Sequence, residues 1–174
     1  AGGDPNKSVI IPVPVEVPDY GTESYIEEFG WEDKFVFGMH QRDDIHIFSP
    51  VPLEAYDDIQ DEDTAFLILG GSANHRKQAK DYQLKNVKFL DTTSDISLIH
   101  KFLNTLNVYA HGRSDGEQCS SAIIEGLSHS LPMISHTAVS MGQLEQIGDA
   151  GVVVDGYEEY AQAMKNMMNN KNYY

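Results

Sequence analysis

The sequence predicts an α/β fold, a doubly wound parallel sheet of about six strands with helices on both faces. Two observations carry this. Short apolar runs alternate with helical segments about six times along the chain. The runs, of which Thr64-Ala65-Phe66-Leu67-Ile68-Leu69 is the longest, are apolar at consecutive positions and bounded by Gly or Asp. Strands of that kind are buried on both faces, which calls for parallel pairing under two layers of helix.

In order, residues 1–22 read as an extended, proline-rich linker. Pro12, Pro14 and Pro18 forbid a helix and bias the residues before them to extended backbone. Residues 23–174 read as a single domain. A short helix is expected up to Gly30, with Thr22 as its cap and Gly30 as its stop. Phe35-Val36-Phe37-Gly38 is a strand ending at the glycine, and residues 39–47 form a polar loop. Ser49-Pro50 opens a helix reaching about Ile59, with Ser as cap and Pro in the first turn. The strand 64–69 closes at Gly70-Gly71-Ser72, and a polar helix covers 73–84. Val87-Lys88-Phe89-Leu90 is the next strand, and Ser94-Asp95 caps a helix over 96–103. Val108-Tyr109-Ala110-His111 leads into a polar turn, Ser114 to Ser120, that feeds a helix with Ala122, Ile123, Ile124 and Leu127 as its apolar face. The strand Met133-Ile134-Ser135, a short helix 141–147, the strand Gly151-Val152-Val153-Val154 and a last helix from Tyr157 to about Asn169 complete the chain.

Composition excludes several function classes. Twelve Lys and Arg stand against 27 Asp and Glu, a formal charge of −15. That balance argues against nucleic acid and anionic membrane surfaces as partners, so any phosphate must be held by a local site. The single cysteine, Cys119, leaves no internal disulfide and no cysteine-based zinc cluster, which fits a reducing compartment. No apolar run approaches the roughly 20 residues of a membrane span. With no signal peptide at its start, the chain is expected in the cytoplasm.

The turn at 114–120 is where chemistry is expected. In such sheets ligands bind beyond the carboxyl ends of the strands. A turn feeding a helix N-terminus offers unpaired N–H groups and a positive dipole end, which suit phosphate. Two glutamates with seven residues between them, Glu117 and Glu125, flank the helix mouth; a carboxylate there can accept hydrogen bonds from sugar or ribose hydroxyls. Both are otherwise read as solvated helix-surface glutamates.

This arrangement resembles the nucleotide-sugar-binding, carboxyl-terminal half of a family-4-like retaining glycosyltransferase with the GT-B fold. The resemblance rests on Glu117, Glu125 and the following Ser130-Leu131-Pro132-Met133-Ile134. It also rests on Phe37-Gly38, Gly70-Gly71-Ser72, Val87-Lys88-Phe89-Leu90 and Ile147-Gly148-Asp149-Ala150-Gly151 in the expected order. It covers roughly residues 34–165, and the proline-rich start is similar to the segment that joins the two halves of such enzymes.

The resemblance implies a Rossmann-like donor-binding domain. Its reaction is transfer of a glycosyl group from a nucleoside-diphosphate sugar to a hydroxyl with retained configuration, without metal or further cofactor. The acceptor, a glycan or another hydroxyl compound, belongs to an amino-terminal domain that this chain lacks. Glu125 becomes the ribose ligand and Glu117 the sugar ligand, with His111 near the reacting carbon or else a core histidine. Gln118, Cys119 and Ser120 bring backbone N–H groups to the diphosphate, where family members often have Gly-Phe-Gly; Ser120 and Ser121 add hydroxyls. Cys119 has no His or Asp at the spacing of a nucleophile's partner. Gly38 and the loop after it supply the diphosphate cation: the usual Arg is Met39 here, leaving Arg42, which either grips phosphate or pairs with Asp43 or Asp44. Leu90 would meet the base. Two other readings stand beside this one, a non-catalytic nucleotide-sugar-binding module and an assembly domain.

Overall fold

The structure, a computed structural model, describes residues 19–170. The proline-rich run that defines the expected linker lies outside the described residues. The described chain runs α1 (Ile26–Phe29), β1 (Phe35–Gln41), α2 (Val51–Asp57), β2 (Thr64–Gly70), α3 (Ala73–Asp81), β3 (Val87–Leu90), α4 (Ile96–Leu103), β4 (Val108–Ala110), β5 (Gly116–Glu117), α5 (Ser121–Ser128), β6 (Met133–His136), β7 (Ser140–Met141), α6 (Gly142–Ile147), β8 (Gly151–Val154) and α7 (Gly156–Asn169).

Six strands form one sheet in the order β3-β2-β1-β4-β6-β8, every pairing parallel. This is the Rossmann-like order: the chain winds outward from β1 in one direction, then returns to β4 and winds outward in the other. All seven residues of β2 are buried, as a central strand covered on both faces must be. α2 packs against α7, α4 against β2, and α5 against β6. Phe37, Phe66, Leu67, Ile68, Tyr109 and Tyr160 form the centre of the core with no exposed surface.

Several expectations are corrected. β1 does not stop at Gly38 but continues through Met39, His40 and Gln41, because each residue pairs with β2 from Phe35↔Thr64 to Gln41↔Gly70. Gly38 is therefore mid-strand. A Cβ there would lie 2.5 Å from the Leu67 carbonyl oxygen and 2.5 Å from Leu106, so its small size serves close packing. Thr22 caps nothing: α1 begins after Tyr25, whose N–H donates to Thr105 Oγ1 at 2.9 Å. Gly30 does stop that helix, at φ 67°. α2 ends at Asp57, short of Ile59, and α3 at Asp81.

Residues 20–23 are held by the side chains that follow α4 and α5. Asn104 donates from its Nδ2 to the carbonyls of Gly21 and Glu23, at 3.3 and 3.1 Å. Tyr20 stacks on His129, which follows α5, with ring centres 4.0 Å apart.

A second, two-stranded sheet pairs β5 with β7, Gly116↔Ser140 and Glu117↔Met141. Gly116 sits at φ 73°, and a Cβ there would lie 1.9 Å from the Ser140 carbonyl oxygen. Both the left-handed backbone and the approach of β7 require glycine. Gly116→Ala is expected to cost about 2 kcal/mol or more, a fall in melting midpoint of roughly 4 °C or more by circular dichroism.

His75 generates a second expectation. It is buried in the first turn of α3, where its Nδ1 accepts from the Ser72 N–H at 3.1 Å. Burial pushes its pKa down to about 4, from an ordinary value of 6.5. The unfolded chain therefore binds the extra proton first. His75's contribution is fully present above pH ~6.5 and is lost as pH falls towards ~4. Between pH 7 and 4.5 the loss attributable to this group is about 2–3 kcal/mol. His75→Gln keeps a side chain suited to this capping position and removes the titration. Urea unfolding at the two pH values should show a smaller loss in the variant by that amount; equal losses would contradict this account.

Candidate functional site

The winding direction reverses between β1 and β4, which are nonetheless neighbours through Phe37↔Val108 and Gly38↔Tyr109. Sheets of this order open a crevice beyond the strand ends at that point. Here the crevice is an open cleft of about 350 Å³. The end of β1 supplies Met39, His40 and Gln41 to its wall, followed by Arg42. Tyr109, His111 and Arg113 come from β4 and the turn after it. Glu117, Cys119, Ser120, Ser121, Ala122 and Glu125 come from β5, α5 and the turn between them.

Glu117 is placed by β5. Its N–H donates to Gln143 Oε1 at 3.2 Å, and Gln143 in turn donates to the His136 carbonyl at 3.1 Å. Its carboxylate lies 3.4 Å from His111 Nε2 and 3.4 Å from an Arg113 terminal nitrogen, with 11% of the side chain exposed. The far nitrogen of His111, Nδ1, is 2.8 Å from Ser135 Oγ. The network is satisfied when Nε2–H donates to Glu117 and the Ser135 hydroxyl donates to Nδ1. Burial raises the Glu117 pKa. Hydrogen bonds from His111 and Ser120, with the charges of His111 and Arg113, outweigh it and hold the carboxyl below its ordinary value. Glu117 is thus an acceptor at neutral pH and has no proton to give.

Glu125 lies on α5. Its Oε2 is 2.7 Å from His40 Nε2. His40 Nδ1 is 3.1 Å from the Tyr109 hydroxyl. At the mouth of α5 the Ser120 side chain accepts from the Ile123 N–H at 3.4 Å, and the Ser120 N–H donates to Gln146 Oε1 at 2.7 Å. The N–H groups of Ser121 and Ala122 have no hydrogen-bond partner among the described residues. They border the cleft at the positive end of the helix.

Both arginines of the cleft are engaged. Arg42 pairs with Asp44 at 3.4 Å. Arg113 grips both oxygens of Asp115, at 2.6 and 3.0 Å, as well as Glu117.

Of the residues singled out from sequence, Glu117, His111, Glu125, Arg42, Cys119, Ser120 and Ser121 line this cleft. Gly38, Leu90 and Gln118 do not. Gly38 is buried within β1, Leu90 ends β3 two strands away from β1, and Gln118 approaches Gly142 through its carbonyl. Cys119 is exposed, and its sulfur lies 3.7 Å from Gln146 Nε2. His40 and Tyr109 were not anticipated as site residues. Equal strand length was the available signal: a seven-residue partner for β2 carries β1 out to Gln41 and delivers His40 to the crevice. Among the described residues no group of three or more His, Cys, Asp or Glu is placed to hold a metal ion, and no helix is long and apolar enough to cross a membrane.

Comparison with known proteins follows the same line. No curated protein matches the sequence. Among solved structures, Anabaena HepE in complex with UDP-glucose superposes with a TM-score of 0.71 at 16% identity, over 85% of this chain and 43% of that one. WaaG, a glycosyltransferase involved in lipopolysaccharide biosynthesis, gives 0.72 at 14% identity, over 98% of this chain and 50% of that one. A glycosyltransferase from Rickettsia africae gives 0.69 at 18% identity, over 83% and 40%. At these identities the likeness is one of fold, that of GT-B glycosyltransferase domains, and the chain spans half or less of each of these proteins. The profile of the family described as glycosyl transferases group 1 matches residues 37–170. That match takes in most of the chain, including the whole cleft, and the protein belongs to the group 1 glycosyl transferases.

Proposed function

We propose that this chain is the carboxyl-terminal, donor-binding half of a retaining, metal-independent glycosyltransferase. It binds a nucleoside-diphosphate sugar, whose glycosyl group passes to an acceptor hydroxyl brought by another domain. The observation that carries this reading is the joint placement of Glu117, Glu125 and the mouth of α5 around one cleft at the switch point. Each part matches one part of such a donor. The N–H groups of Ser121 and Ala122 suit the diphosphate. Glu125 accepts from the ribose, and Glu117 from a sugar hydroxyl. HepE, which shares the fold, has been crystallised with UDP-glucose and with UDP, which makes a uridine nucleotide the first donor to try.

The residues of this chain position the donor. An ionised Glu117 is unsuited to protonate a leaving group, so the two glutamates are not an acid–base pair flanking a scissile bond. Donors at the helix mouth stabilise the charge that grows on the departing diphosphate, and the dipole of α5 adds to them. His111, held between Ser135 and Glu117, fixes the carboxylate that meets the sugar. No further cofactor enters this scheme.

One observation favours a second reading, a module that binds the nucleotide sugar without turning it over. Both arginines lining the cleft are already paired with carboxylates, which leaves the diphosphate mainly to backbone donors. Supplying an acceptor-binding half with acceptor and following glycosyl transfer separates the two.

Calorimetric titration with uridine, guanosine and adenosine diphosphates tests the shared core of both. One of them should bind, and Glu125→Ala should weaken it roughly 10-fold or more, since the bonds lost involve a charged acceptor. Failure of all three to bind the unaltered chain would remove both readings.

A further inference from the structure

We propose that His40 is the positioning residue of the nucleotide site, engaging one oxygen of Glu125 so that the other is the stronger acceptor for the ribose. The inference rests on the reading of Glu125 as ribose ligand and adds to it a specific, asymmetric grip.

The geometry begins with the imidazole. His40 is the sixth residue of β1, so its backbone is fixed by the sheet. Its ring meets Phe102 and Tyr109 edge to face, with centres 5.7 and 5.5 Å apart. Both of those residues are fully buried. Only 15% of the His40 side chain is exposed, against 34% for Glu125. One ring nitrogen, Nε2, is 2.7 Å from Glu125 Oε2, and the other, Nδ1, is 3.1 Å from the Tyr109 hydroxyl. That hydroxyl also accepts from the His40 N–H at 3.2 Å and lies 3.3 Å from the His40 carbonyl oxygen. Glu125 Oε1 has no hydrogen-bond partner among the described residues.

Proton placement follows from these contacts. Burial, with the charges of Glu125 and Glu117, keeps the Tyr109 hydroxyl protonated. When the imidazole is neutral, Tyr109 donates to Nδ1 and the ring proton must sit on Nε2, directed at Glu125. When the imidazole is protonated, Nδ1–H donates to the Tyr109 oxygen and the hydroxyl proton turns to the His40 carbonyl. In both states Nε2–H donates to Glu125, so Oε2 is held whatever the charge on His40. Other charged groups near this network are Glu117, Arg113 and Arg42 across the cleft.

The consequence concerns the ribose diol. A free carboxylate can take two vicinal hydroxyls, one on each oxygen. With one acceptor position of Oε2 filled by His40, Oε1 takes one hydroxyl strongly, and the second hydroxyl is held only weakly, by the remaining position on Oε2 or by solvent. The site should therefore discriminate unequally between nucleotides lacking the 2′- and the 3′-hydroxyl.

The test uses whichever of the uridine, guanosine and adenosine diphosphates binds best, with its 2′-deoxy and 3′-deoxy forms, titrated into the whole chain and into His40→Phe, His40→Gln and Tyr109→Phe. In the unaltered chain, one deoxy form should bind roughly 10-fold more weakly than the parent and the other within about 2-fold. His40→Phe and Tyr109→Phe should weaken the parent roughly 5-fold or more and bring the two deoxy forms to similar affinities. His40→Gln, whose amide can donate to Oε2, should restore the inequality. Equal losses for the two deoxy forms in the unaltered chain would overturn the proposal. So would a uniform weakening of all three nucleotides in His40→Phe and Tyr109→Phe, which marks a merely structural role. If Glu125→Ala abolishes binding while the His40 variants keep the original pattern, the donor-site reading stands and the positioning role falls. If no nucleotide binds the unaltered chain, both fall.

Discussion

β1 lies between β2 and β4, and the cleft depends on that adjacency. The ladder to β2 extends β1 to Gln41, while the shorter ladder to β4 brings Tyr109 alongside Gly38. The outer strands add width and cover to the sheet, but they do not form the crevice. Gly38 belongs to the same arrangement. Its missing side chain lets Leu106 close onto β1, so β4 enters the sheet beside it. The end of β1 and the turn after β4 then face one another across an opening that neither could form alone, and α5 sets its N-terminus into the gap.

Electrostatics within the cleft are balanced pair by pair. Each carboxylate that lines it, Glu117 and Glu125, touches a histidine, and each arginine touches an aspartate. A chain with a formal charge of −15 has little general attraction for phosphate. What it offers an anion is local: two unpaired N–H groups at the start of an eight-residue helix. Imidazoles can act as hydrogen-bond donors to the carboxylates at either charge state, so the His40–Glu125 and His111–Glu117 pairs hold their geometry whether or not the ring is charged.

Much of this was legible in the sequence, and what was not has physical causes. The alternation of apolar runs with helices marks the sheet, because strands buried on both faces have to be apolar throughout. Glu117 and Glu125 stood out as a spaced pair beside a turn. The end of β1 did not, because Met39-His40-Gln41 has no strand-like pattern of its own; its conformation comes from a ladder to residues 68–70. Two-residue strands such as β5 and β7 are too short to show any period, and only the close approach at Gly116 reveals why that glycine is there. Thr22 has the chemistry of a cap, but Thr105, 80 residues from Tyr25, takes that helix's entry bond instead. Arg42 was open between phosphate and a neighbouring aspartate; it lines the cleft and lies 3.4 Å from Asp44.

The stacking of Tyr20 on His129 ties a distant part of the chain to the helix of the cleft. His129 terminates the same helix that carries Glu125 one turn earlier, and its N–H donates to the Glu125 carbonyl at 3.3 Å. Tyr20 and the cleft carboxylate are therefore attached to the same turn, one through the His129 ring and the other through the Glu125 side chain.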